Sequence, residues 1–450
     1  MAGPMPAQRR PKPAAGLFVA GAASRLLPAS VPLRFFGAAT GFHLLAWLAL
    51  LAGSAGFPRF VGGLGWTLAA LHLATLGVLA MTAIGASLQL LPVATRQPIR
   101  ATRLPALVWW LYAPGVAVLA AGMGTGKAPL LAAGAAAVAA GLLVFAALLA
   151  RNLAGARGMP AVVGHGWVAL AALVATLATG LSLVFAYAGL PSLERGAALA
   201  LHVPLAGYGF MGMLALGLSY ILVPMFALAP APDTRPALAS CGLGVAGLGL
   251  AAAAALGVAP AAARGAAVLA AAAAVAIHLW LMRRALREGM RRELGRSFAM
   301  IRISWALLAA SLAAGLAVAL DVALPGGQTL FGVLLIVGWL MGFLFGILQR
   351  ILPFLAAMHK PPGARLARTP SSLTDDRPLA VHFHCHLAAL ALLCAAVVAD
   401  SPALAAVASG AGALGAGAFA VFFAIVVHRM RRPDRAPRLD PGQDARNQRP

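Results

Sequence analysis

The chain has 450 residues, of which 62% are hydrophobic and 10% are charged, and its mean hydropathy is +0.90. Soluble domains contain roughly 25% charged residues, so this composition excludes a soluble globular protein and indicates a polytopic membrane protein. The net charge of +23 would favour nucleic acid as the partner of a soluble chain, but in a membrane protein its distribution between loops decides its meaning. We expect the lipid bilayer, and no nucleic acid, as the partner.

Twelve apolar segments have the length of about 20 residues that a helix needs to cross the hydrocarbon core of a bilayer. They predict an all-α membrane protein with twelve transmembrane helices. The segments cover residues 32–53, 64–92, 103–122, 128–150, 162–190, 198–228, 235–258, 263–287, 297–323, 329–358, 380–399 and 403–430. The flanking residues, 1–31 and 431–450, are basic and rich in proline, and we predict that they form disordered tails.

The positive charges alternate between the loops. Of the 34 lysines and arginines, 29 fall in the two tails and in every second loop, and only four fall in the opposite loops. The positive-inside rule then predicts a multi-pass protein of a bacterial-type inner membrane, with both termini in the cytoplasm. The most basic loop, MRRALREGMRRELGR at 282–296, fits a topology signal at an anionic membrane surface.

One pattern of glycine and proline occurs three times, in GVLAMTAIGASLQLLP, GYGFMGMLALGLSYILVP and GWLMGFLFGILQRILP. The copies end at Pro92, Pro224 and Pro353, and glycines stand seven and fifteen residues before each proline. These glycines are Gly77, Gly85, Gly209, Gly217, Gly338 and Gly346. Residues eight apart lie on roughly one face of a helix, and small residues there let helices approach closely.

The repeat divides the predicted membrane domain, 32–430, into three units. The units cover about 32–150, 162–287 and 297–430, and the pattern lies on the second helix of each unit. Many transporters with twelve helices are instead built from two halves of six helices. The sequence therefore predicts three pseudo-repeated units of four helices.

Three four-helix units are also the architecture of the main subunit of heme-copper oxidases, and HLATLGVLAMTAIGASLQLLP at 72–92 resembles the second helix of that superfamily. That helix carries an early histidine ligand of a low-spin heme and ends in a glycine-rich stretch before proline. The resemblance implies a b-type heme bound through His72. It also implies a heme or metal ligand role for His202, at the corresponding place in the sixth helix. His43 in the first helix would reach a heme edge or a bonded neighbour.

The chain departs from this superfamily in its remaining ligands. The predicted seventh and tenth helices, 235–258 and 329–358, contain no histidine, although the oxidases carry metal and heme ligands there. The resemblance thus implies heme binding, with electron transfer, a nitric oxide response or metal handling, and a possible redox partner protein, but not a competent oxygen reductase. NnrS-type heme and copper proteins are similar only in the helix pattern and in the spacing from glycine to proline, because their HxHE signature is missing. The alternatives are a cofactor-free transporter or assembly protein and a divergent terminal oxidase.

A histidine-rich stretch, VHFHCH at 381–386, opens the predicted eleventh helix. His382 and His386 are four residues apart and share a helix face, whereas His384 lies on another face. Two interpretations remain open. The first is a site for copper or zinc formed by His382, His384 and His386 together with Cys385 and His359, and the second is a set of interfacial histidines that face water.

Two further expectations concern residues near the predicted cytoplasmic ends of helices. His165 and His278 are expected to be solvated there. Arg350 is expected to extend its side chain to the interface, or otherwise to contact an anion or an internal carbonyl.

Overall fold

The computed structural model describes residues 27–99, 102–359 and 369–432. Within these residues it contains no strand and twelve helices that are long and apolar enough to cross a membrane, so the predicted all-α fold with twelve helices is confirmed. Every helix boundary lies within four residues of its predicted position. The predicted disordered tails fall almost entirely outside the described residues.

The helices follow one another with short connections. They are α1 Ser30–Ala52, α2 Trp66–Thr95, α3 Arg103–Thr125, α4 Ala128–Ala154, α5 Pro160–Tyr187, α6 Arg195–Ala227, α7 Thr234–Ala255, α8 Pro260–Glu288, α9 Gly295–Ala319, α10 Gly327–Met358, α11 Asp376–Val398 and α12 Pro402–Arg431. The connections alternate between two ends of the bundle. We call the end with residues 53–65, 188–194 and 320–326 the upper end, and the end with residues 155–159, 228–233 and 289–294 the lower end.

The packing of the helices follows the three units. In each unit the third and fourth helices form a hairpin, and the first helix packs along the second. The units also contact each other in sequence, through α4 with α5, α8 with α9, and α12 with α1, so that they close into a ring. The second helices, α2, α6 and α10, are the most buried of the twelve, and α10 contacts both α2 and α6 inside this ring.

The six repeated glycines all face the first helix of their own unit. A Cβ atom on any of them would lie only 2.6 to 3.3 Å from a side-chain atom of α1, α5 or α9. The partners are Phe42 for Gly77, Phe35 for Gly85, Ala172 for Gly209, His165 for Gly217, Leu307 for Gly338 and Ile301 for Gly346. Because side chains larger than hydrogen do not fit there, the glycines set how closely each central helix packs on its neighbour.

Each central helix also contains a segment of π-helix. The π segments are Leu73–Ala80 in α2, Leu205–Gly212 in α6 and Val333–Met341 in α10, and each ends twelve residues before the repeated proline. A π-helix is rare and often occurs at a functional site. The backbone conformation therefore repeats in register with the glycines and prolines.

Arg350, near the lower end of α10, contacts α9 and the connection before it. Its Nε donates a hydrogen bond to Ser297 Oγ at 2.7 Å, and its guanidinium also donates to the carbonyl of Leu294. Of the two expectations for this arginine, the structure shows the contact with an internal carbonyl.

Glu194 caps the upper end of α6, where its two carboxylate oxygens accept hydrogen bonds from the backbone N–H groups of Gly196 and Ala197, both at 2.7 Å. These bonds lower the pKa of Glu194 below its ordinary value of 4.5. The cap therefore stabilises the fold fully at neutral pH and loses its contribution as the pH falls through the lowered pKa.

We expect Glu194→Ala to lower the apparent melting temperature in detergent by about 2 °C at pH 7. The difference from wild type should shrink progressively as the pH falls below 4.5, because the wild-type carboxylate then takes up a proton and no longer caps the helix. Thermal unfolding of both proteins from pH 3 to pH 8 measures this, and Glu293→Ala, in an exposed connection, serves as the control. A difference that is independent of pH would contradict the role of the ionised carboxylate.

Candidate functional site

A large cavity lies among the three central helices, toward the upper end. Its volume is about 1170 Å³, and all three π segments contribute to its walls. The lining is mostly aliphatic and aromatic, as is typical of sites that take an apolar ligand. We call it the upper cavity.

His72 and His202 both line the upper cavity. His72 Nδ1 is 3.0 Å from the carbonyl oxygen of Leu68. Because a carbonyl only accepts hydrogen bonds, this nitrogen carries the ring proton and Nε2 carries the free lone pair. His72 thus has the arrangement of a metal-binding histidine, whose second nitrogen is usually held by a hydrogen bond.

The same reasoning applies to His202. Its Nδ1 lies 3.2 Å from Thr179 Oγ1, and this hydroxyl is also 3.0 Å from the carbonyl oxygens of Ala175 and Thr176. When the hydroxyl donates its one proton to a carbonyl, it accepts from His202 Nδ1, and Nε2 of His202 has the free lone pair. Two imidazoles from different units therefore offer free nitrogens in one cavity.

Two arginines stand among the residues that line this cavity near the upper end. The guanidinium of Arg195 lies 5.3 Å from the centre of the Tyr187 ring, and Arg264 is 3.5 Å from a carboxylate oxygen of Asp321. The cavity is thus apolar in its depth and positively charged at its rim.

A second group of histidines lies outside the upper cavity. His382 and His386, which we call the lower histidine pair, are fully buried, and their ring centres are 5.9 Å apart. The His43 ring lies 5.8 Å from that of His382, and Phe345 packs against all three imidazoles. Trp47 Nε1 donates a hydrogen bond to His43 Nε2 at 3.1 Å.

The structure separates His384 from His382 and His386, which the sequence placed with it in one metal site. His384 is exposed and packs on Phe383. The expectation that the stretch faces water is wrong for His382 and His386. His43, expected near a heme edge, is not among the residues that line the upper cavity and joins the lower pair instead.

The expectation of solvated histidines near the lower end is also wrong for His165 and His278. Both are completely buried, and the Tyr220 ring lies between them with centre distances of 5.4 and 5.2 Å. Their helices continue through the bundle and pack on α6, which removes water from side chains that stand only a few turns from a helix end.

Within the described part of the chain, no three histidine, cysteine or acidic side chains converge as a metal site. Comparison with known proteins adds no identity: no family model matches the chain, and no curated protein is significantly similar to it. The geometry of the two histidine groups is therefore the basis for assigning a function.

Proposed function

We propose that this chain is a heme-binding membrane protein that holds a b-type heme in the upper cavity through His72 and His202. The observation that carries the proposal is the pair of free Nε2 lone pairs in one large apolar cavity. Neutral imidazole is a common axial ligand of heme iron. The resemblance of residues 72–92 to the heme-bearing helix of the heme-copper oxidases supports the same assignment.

The other residues of the cavity fit the remaining parts of this cofactor. A heme has an apolar ring, which the aliphatic and aromatic walls would exclude from water, and two carboxylates on one edge. Arg195 and Arg264 at the rim offer the planar guanidinium groups that bind carboxylates well. A b-type heme would supply one-electron chemistry or a binding position for a small gas.

The two histidines also define which chemistry to expect. If His72 and His202 both bind one iron, no position is left for a gas, and electron transfer with a redox partner follows. If one of them stays free, an open position suits a diatomic ligand such as nitric oxide. The ligand set of the oxidases is incomplete in this sequence, so oxygen reduction is not proposed.

Visible spectra of the oxidised and dithionite-reduced protein test this proposal. We expect about one equivalent of b-type heme in the wild type, and loss of most of it in His72→Ala and in His202→Ala. His384→Ala should keep the wild-type spectrum, because its imidazole is exposed and distant from the cavity lining.

A wild-type protein that takes up neither heme nor iron when heme is supplied would contradict the proposal. That result would favour the alternative, a cofactor-free transporter whose substrate occupies the cavity. Retention of heme in both single variants with unchanged spectra would equally exclude these two residues as ligands.

A further inference from the structure

The lower histidine pair brings four unsatisfied polar atoms together in one place. None of the four ring nitrogens of His382 and His386 makes a hydrogen bond of normal geometry, although both side chains are fully buried. A buried polar group without a partner costs about 1–3 kcal/mol. Native proteins rarely keep such groups, so four in one place point to a missing ligand.

The internal repeat identifies a backbone carbonyl that can accept the ring proton of His386. In the first unit, the hydroxyl of Tyr112 on α3 donates to the carbonyl of Leu76 at 3.0 Å, and Leu76 stands sixteen residues before Pro92. In the third unit, the carbonyl sixteen residues before the proline is that of Val337, and the His386 imidazole on α11 lies beside it. Both carbonyls belong to π segments, and both neighbours stand on the third helix of their unit.

This correspondence gives His386 the arrangement of a ligand. The His386 imidazole lies beside the Val337 carbonyl, which can accept its ring proton, but no hydrogen bond of normal geometry joins the two groups. The ring nitrogen that does not carry this proton has a free lone pair. Histidines that bind metals usually hold a backbone carbonyl with their second nitrogen in this way.

The spacing within the lower histidine pair fits one shared metal ion. The residues are four apart on a helix, as in known pairs of histidine ligands. Metal–nitrogen bonds of about 2.0 Å on both sides place two imidazole ring centres about 6 Å apart when the ligands are nearly opposite. The observed distance is 5.9 Å, with the ring planes inclined by only 18°.

The surroundings select an ion of low charge. Every acidic residue that the structure describes lies at a helix end or in a connection, so no carboxylate offsets a buried charge. His43 uses its Nε2 lone pair to accept from Trp47, and the remaining walls include Phe345 and Phe419. Neutral donors in an apolar site disfavour a divalent ion, whose burial costs more. Copper(I) is soft and singly charged, and imidazole is a suitable ligand for copper.

We propose that His382 and His386 bind one copper(I) ion between their imidazole nitrogens, in a site separate from the upper cavity. Trp47 holds His43 by a hydrogen bond, and His43 packs beside the His382 ring. Neither His43 nor Trp47 is a ligand. This site does not depend on the proposed heme.

Anaerobic titration of the purified metal-free protein with copper(I), against a chromogenic copper(I) chelator, tests the site. We expect one equivalent to bind to the wild type and to His384→Ala, and the affinity to fall at least 100-fold in His382→Ala and in His386→Ala. Zinc(II) should not compete for the site. His72→Ala should bind copper(I) like the wild type, which separates this result from the test for heme.

X-ray absorption at the copper edge distinguishes the ligands even if a variant folds poorly. Two nitrogen ligands at about 2.0 Å are expected for the wild type. A spectrum with a sulfur ligand would overturn the proposal and would point to a cysteine such as Cys385. Absence of stoichiometric binding to the wild type, or binding by both histidine variants with the affinity of the wild type, would overturn it as well.

Discussion

Replacing Gly134 by alanine is expected to destabilise the protein by about 3 kcal/mol, because the change separates two helices at their closest approach. A Cβ atom at this position would lie 2.5 Å from the Cα atom of Leu119 on α3. The contact is reciprocal, since a Cβ on Gly122 of α3 would lie 2.7 Å from the Cα atom of Leu131 on α4. Backbone atoms cannot rotate away as side chains do, so the whole hairpin must open.

Unfolding of the variant by titration with a denaturing detergent measures this effect. Gly249→Ala is a matched control, because Gly249 is also inside a helix but a Cβ there would meet nothing within 4 Å. The control should be neutral or slightly stabilising, as alanine favours a helix over glycine by about 1 kcal/mol. Equal stability of the two variants would contradict the close crossing of α3 and α4.

Gly412→Ala is expected to lower the free energy of unfolding by about 2–3 kcal/mol, slightly less than Gly134→Ala. Gly412 on α12 lies directly against the indole of Trp47, so an added methyl group would overlap the ring. The indole would have to move, and the hydrogen bond from Trp47 Nε1 to His43 would be lost. The variant thus disturbs both the closure of α12 on α1 and the position of His43.

The same helix provides the control for this prediction. A Cβ on Gly410 would meet nothing within 4 Å, so Gly410→Ala should be neutral or slightly stabilising, as expected for Gly249→Ala. An unfolding free energy of Gly412→Ala within about 0.5 kcal/mol of this control would show that Trp47 does not occupy its observed place.

The sequence predicted the helices well because a bilayer imposes a simple requirement. Twenty apolar residues are needed for each crossing, and the few charged residues fall between the crossings. The equal spacing of Gly85 and Gly217 before their prolines likewise predicted which helices are related. These signals are local, so they need no knowledge of how distant segments pack.

Only part of the candidate site could be predicted from such local patterns. His72 and His202 were found because they occupy matching places in the repeat. His43 and His382, however, come together because the last unit closes on the first, and no local pattern contains that contact. His165 was misplaced for a related reason, since distance from a helix end does not determine burial when other helices cover the site.

The π segments have a consequence for how this chain can change. Successive side chains of an α-helix are rotated by about 100° around its axis. One residue more or less in a π segment therefore changes the direction of the side chains on one side of the segment relative to those on the other side. His72 directly precedes one such segment and His202 closely precedes another, whereas Gly85 and Gly217, which pack the lower parts on the first helix of their unit, follow these segments. Insertion or deletion of one residue in these segments could therefore redirect the histidines while the lower scaffold keeps its register, which makes them the natural places to engineer a different ligand geometry.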